Sequence, residues 1–142
     1  MAKDGFDVVT DIRGLINVQS VLLLLQGGKV DPSIKTTGAS KRGIVVNVLG
    51  ITNAQDQIGF GNINCYAPAI ISTIDGKSIS LPDQATLSTL AKAIEPLIDD
   101  VYTSSFRVWI KEEGIPTQDT DGSYFASIQF GYQSIQDNFK RV

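Results

Sequence analysis

The 142-residue sequence has no histidine, a single cysteine (Cys65) and a single tryptophan (Trp109). Without histidine the usual general base, the commonest transition-metal ligand and every Ser–His or Cys–His nucleophile are gone. A zinc site of the Cys/His type cannot be assembled. One cysteine excludes an internal disulfide framework, which fits folding in a reducing cytoplasm. Charge of one sign is also lacking: 12 basic residues face 15 acidic ones, net −3, so no global basic field points to nucleic acid. The longest apolar run, Val21–Leu25, is too short to cross a bilayer, and no membrane partner is expected. The opening MAKDGFD sets two acids where a secretory signal needs a positive segment and an apolar run, so no signal peptide is expected. What is present is ordinary globular composition. The length suits one domain over residues 1–142 that buries about two-thirds of its unfolded surface.

Hydrophobic spacing orders the chain as α, β-β, α, β-β. Val8, Val9, Ile12, Leu15 and Ile16 recur at helical spacing over 4–16, with Asp4 and Asp7 at the favourable end of the dipole. Asn17 is a candidate cap for a short second helix over 18–25 that Gly27 and Gly28 end. Residues 26–42 read as a long polar loop with an extended piece near Lys29 and Val30; unstructured loops of that length are often functional. GIVVNVL (43–49) is a β-branched strand, 50–57 a turn, and 58–67 a second strand. Residues 70–81 are undecided, with a turn signal at Asp75-Gly76. Asp83 is placed to cap the main helix, whose apolar stripe runs from Leu87 to Val101; Pro96 within it predicts a kink. Phe106–Lys111 and Tyr124–Ile135 alternate as strands that can pair. The expected fold is α+β: a single domain with roughly four antiparallel or mixed strands, packed against one long kinked helix and an N-terminal helix.

No motif in the chain supports catalysis, a metal or a cofactor. Gly76-Lys77-Ser78 ends like a phosphate loop, but Ile71 stands where its first glycine belongs, so a turn with a solvated lysine is the reading. TQDTDG (117–122) resembles part of a calcium loop, yet its end positions are Thr117 and Ile128 instead of acids. Glu112 and Glu113 are neighbours on a strand and point to opposite faces, so they are not an acid/base pair. Cys65 lies on an apolar strand face, where a buried inert thiol is the common outcome. Trp109 and Tyr66 occupy the less apolar faces of their strands: either helices cover them or they mark a surface for another subunit.

One stretch, IGFGNINCYAP (58–68), is plainly a strand but carries no chemistry beyond one thiol. It belongs to a wider pattern: DVVTDIRGLI, LLLLQGGKV, a loop, GIVVNVLGITN, QIGFGNINCYAPAI, LSTLAKAIEPLID, FRVWIKEEG and SYFASIQFGYQSI. Over nearly the whole chain, this order resembles the tail-completion or tail-terminator (head–tail joining) proteins of tailed bacteriophages. The resemblance implies a small α/β subunit in a homo-oligomeric ring, usually a hexamer, with no catalytic residues. Such a ring ends the tail tube and contacts the tube protein and a neck or head-completion protein. DNA passes its lumen without sequence recognition. The resemblance also implies a virion location in the tail or neck, after assembly in the bacterial cytoplasm. Collar and stopper ring proteins share the general subunit type. A cytoplasmic adaptor with a carboxylate-lined pocket is a competing class, and an enzyme limited to carboxylates or lysine is a third.

A ring is closed by two different patches on each subunit. Residues 29–42 are net basic, and 112–121 are acidic with no lysine or arginine among them. The candidate contact between subunits or with a stacked partner ring is therefore Lys35, Lys41 and Arg42 against Glu112, Glu113, Asp119 and Asp121. The alternative is that these loops line the lumen.

Overall fold

The computed structural model describes residues 3–52 and 56–134. Among these described residues there are three helices, α1 (Gly5–Ile16), α2 (Gln19–Leu24) and α3 (Gln84–Ile98). The nine strands there are β1 (Val30–Pro32), β2 (Gly43–Ile51), β3 (Ile58–Ala67), β4 (Ile70–Ile74), β5 (Lys77–Leu81), β6 (Val101–Tyr102), β7 (Phe106–Glu113), β8 (Thr117–Gln118) and β9 (Tyr124–Ser134). The mixed α+β expectation holds. The sheet is larger than the four strands expected: seven strands run in the order β1-β2-β3-β9-β7-β6, with β8 also paired to β9. The expected strands are its centre. The added ones are two or three residues long, too short to show alternation. Only β1 to β2 is parallel. The expected extension of the last strand to Ile135 lies outside the described residues, as do 53–55 of the turn between β2 and β3.

Local chemistry sets the helix ends. Asp4 accepts from the Asp7 backbone N–H and Asp7 accepts from that of Asp4, a reciprocal cap that opens α1. Asn17 closes α1 through its backbone N–H to the Arg13 carbonyl; it does not cap α2, which starts after Val18 without a side-chain cap. Asp83 caps α3, its carboxylate accepting from Thr86 N–H and hydroxyl at 3.2 and 2.6 Å. The helix is unbroken across Pro96. The bond that proline forfeits, to the Lys92 carbonyl, falls in the last turn, where the helix is about to stop. α3 is one continuous element from Gln84 to Ile98.

The three helices lie on one face of the sheet. Val8, Ile12 and Ile16 of α1 and Leu90, Ile94 and Ile98 of α3 join Ile44, Ile63, Ile128 and Phe130 in a single core. Leu97 packs at its edge. Gly61 makes this packing possible: a Cβ there would stand 2.1 Å from the Asn47 carbonyl oxygen and 2.9 Å from the Phe130 ring. At one end of the sheet Lys3 bonds Asp11 at 2.7 Å and the Tyr132 hydroxyl at 2.8 Å, while that hydroxyl donates to Asp11. This ties the start of α1 to β9.

The undecided segment 70–81 is a separate two-stranded hairpin, β4-β5. Its turn is Asp75-Gly76, both at positive φ (51° and 75°), as the tightest hairpin turns require.

Candidate functional site

The seven charged candidates do not meet in one place. Lys35 and Asp121 approach each other within the same chain. The Asp121 carboxyl is held below the ordinary aspartate range, first by the Ser123 hydroxyl at 2.6 Å, with the Ser123 N–H and the Lys35 charge adding to it. The Lys35 ammonium also lies 5.2 Å from the centre of the Tyr66 ring. Asp119 belongs to the same tight turn, where its N–H donates to the Ser123 carbonyl. Burial raises the Tyr66 phenol, and Asp119 and Asp121 add to that.

Arg42 turns inward and is structural. One guanidinium nitrogen donates to the Leu24 carbonyl at the end of α2 at 2.9 Å, and the other reaches the Thr86 hydroxyl at 3.4 Å. Lys41 stays exposed beside a shallow polar hollow with Gln26 and Asp83.

Glu112 and Glu113 point to opposite faces, and a bulge decides which. The β7–β9 register slips between Ile110 and Glu112, so Glu112 falls opposite Gln129 on the bare face and Glu113 opposite Ile128 on the helix face. Glu113 there meets Glu95 of α3 across a cleft of about 260 Å3 that Leu87, Ser88, Ala91 and Lys92 also line. Its carboxyl is held above the ordinary glutamate range. Partial withdrawal from water is the main cause, followed by the charge and hydrogen bond of Glu95 and the charge of Asp99. Cys65 is fully buried, and burial with the nearby Glu113 charge pushes its thiol up to about 12, which leaves it protonated and unreactive.

The sheet face away from the helices has a composition the charge pattern did not announce. Its middle is polar: Asn62, Asn64, Ser127 and Gln129 stand in adjoining rows, and the Ser127 hydroxyl donates to Asn64 at 2.6 Å. Both ends are aromatic. At one, Tyr66 and Phe125 lie with ring centres 5.1 Å apart. At the other, Phe60, Gly131 and Trp109 form one row and Ile58, Gln133, Arg107 and Tyr102 the next. The Arg107 guanidinium stacks at 4.8 Å from the Trp109 ring and 5.1 Å from Tyr102, and it is held by Asp100 at 3.0 Å. The Lys111 ammonium lies 5.6 Å from the Phe60 ring. Such cation–ring contacts hold the rings in place by attraction of the cation to the ring face. Trp109 and Tyr66 are thus not covered by helices. Alternation placed both on this face, but the row that Trp109 forms with Phe60, and the row of Arg107 beside it, are made by strand order.

Among the described residues no group of three or more acidic, cysteine or histidine side chains is placed to hold a metal ion. No helix among the described residues is long and apolar enough to cross a membrane. No protein-family model matches the chain, and no curated protein matches it.

Proposed function

We propose that this chain is a non-enzymatic structural subunit of a phage tail or neck. In this reading, copies form a ring, six in number by resemblance, that terminates the tail tube and joins it to the head. Its partners are other copies, the tube protein and a head-completion protein, and DNA crosses the lumen without being read. The order of elements along the chain supports this reading. The observation that carries it is the one-sided sheet: helices cover one face, while the other face and the β4–β5 hairpin hold apolar side chains out to solvent. Exposed apolar area of that kind marks contacts with other chains. The test is negative-stain imaging of the purified protein, alone and with the tube protein of the same virus. The expected result is a discrete ring that caps tube ends. A protein that neither forms rings nor caps tubes would overturn the reading, and rings that bind a portal or collar instead would move it to the stopper class.

A second reading rests on the Glu95–Glu113 cleft: a cytoplasmic adaptor whose paired carboxylates receive a cationic group. A monomer that binds a lysine-rich peptide, and loses it on Glu95→Gln, would favour that reading.

A further inference from the structure

The β4–β5 hairpin is a sheet of its own, with Ile71 and Ser80 facing a hollow shared with Ser40, Gln118 and Asp121. Cross-strand pairing sets Ile70 beside Leu81, Ser72 beside Ile79 and Ile74 beside Lys77, so one face is mostly aliphatic and Ile71 occupies the other. Ile71 is 67% exposed and Ile74 47%. At its base the Tyr124 hydroxyl donates to the Ser80 carbonyl at 3.2 Å. A two-stranded hairpin is marginal in water unless something packs on it. The second apolar exposure, Ile58 at 50% and Phe60 at 41%, lies at the opposite end of β3, a distance of about 30 Å for ten residues.

We propose that the β4–β5 hairpin of one copy docks on the Ile58–Phe60–Trp109 end of the bare sheet face of a second copy. The two surfaces are complementary. One is a narrow aliphatic arm with Asp75 exposed at its tip; the other is a flat aromatic patch with the Lys111 ammonium over Phe60. Neither Asp75 nor Lys111 belongs to the two ion pairs among the described residues. Each chain carries one arm and one patch at opposite ends, so the contact is head-to-tail and propagates from copy to copy until it closes. This deepens the ring reading and depends on it only for closure.

The test uses two variants of the full chain. Ile71→Lys with Ile74→Lys removes the arm; Ile58→Lys with Phe60→Thr removes the patch. All four side chains are exposed, so circular dichroism melting should match the parent and exclude unfolding. Sedimentation should show an assembled parent and two monomeric variants. An equimolar mixture should give a heterodimer and nothing larger, because only one intact arm can meet one intact patch. A monomeric parent or a mixture that stays monomeric overturns the contact. So does assembly by the patch variant alone, which would mean that arms pair with arms. If the mixture gives the heterodimer but the parent forms open chains, the contact stands and the ring reading fails. If both variants still form rings, the ring stands and this contact fails.

Discussion

On the helix side of the sheet, Ile63, Ile128 and Phe130 are shut away from water. On the other side, Asn62 and Gln129, one position along the same strands, and Trp109 of β7 are half-buried. Each face contains an aromatic ring laid across a glycine on the neighbouring strand. Phe130 covers Gly61 on the covered face, and Trp109 covers Gly131 on the bare one, where an added Cβ would come within 2.3 Å of the indole. The same packing device thus serves two ends. Inside, it lets α1 and α3 settle on a dense core; outside, it flattens an aromatic ring against the sheet and leaves it presentable. The difference lies in what covers the ring, which indicates that stability resides on one face and interaction on the other.

The first way to break this comparison is to damage the covered face. Leu90→Ala should cost about 2–5 kcal/mol in denaturant unfolding, as for buried leucines generally. A variant as stable as the parent would mean α3 is not part of the core. The second sets the two glycines against each other. Gly61→Ala should destabilise by about 1–3 kcal/mol or more, since backbone and a packed Phe130 both resist. Gly131→Ala should cost less, because Trp109 is half-buried and can swing outward. Equal losses would contradict the division between faces.

Tyr132→Phe probes the partly buried bonds that fix α1. It leaves Lys3 and Asp11 paired but short of one partner, and a loss of about 1–3 kcal/mol is expected in the same measurement. The smallest effect concerns pH. Glu113 titrates higher in the folded chain than the ordinary glutamate, so the fold holds that proton more tightly than the unfolded chain does. The resulting stability is present below the ordinary glutamate range and is lost as pH rises through the raised value. Glu113→Gln should therefore melt slightly higher than the parent at neutral pH and converge with it in acid. A gap that widens on acidification would refute the carboxyl pairing.

Much of the covered face was legible in the residues. The stripe from Leu87 to Ile98, the Asp83 cap and the alternation over 58–67 are each set by a local rule, and a local rule can be read from a local segment; Val101, expected to end that stripe, instead opens β6, beyond the helix end at Ile98. The bare face was not, because its adjoining aromatic rows are drawn from β3, β7 and β6 and exist only once strand order is known. The hairpin at 70–81 also hid itself. Its strands are five residues each and Ile71 breaks the alternation of Ile70 and Ile74, so the clearest local signal was the Asp75-Gly76 turn. The arrangement of the charged candidates within one chain was hidden for a related reason. Nearness along the chain does not say which way a side chain points. Arg42 was drawn in by the open carbonyl at Leu24, and one bulge near Lys111 sent Glu113 to the helix side and Glu112 to the other.

The most direct test of the bare face as the contact surface uses the single tryptophan, which lies on that face. Trp109 emission and acrylamide quenching should be followed as the protein is diluted through the range where its sedimenting mass falls. Burial on assembly predicts blue-shifted, poorly quenched emission in the assembled protein and red-shifted, readily quenched emission in the monomer. If the mass changes while the emission and quenching of Trp109 do not, the bare face is not where the copies meet.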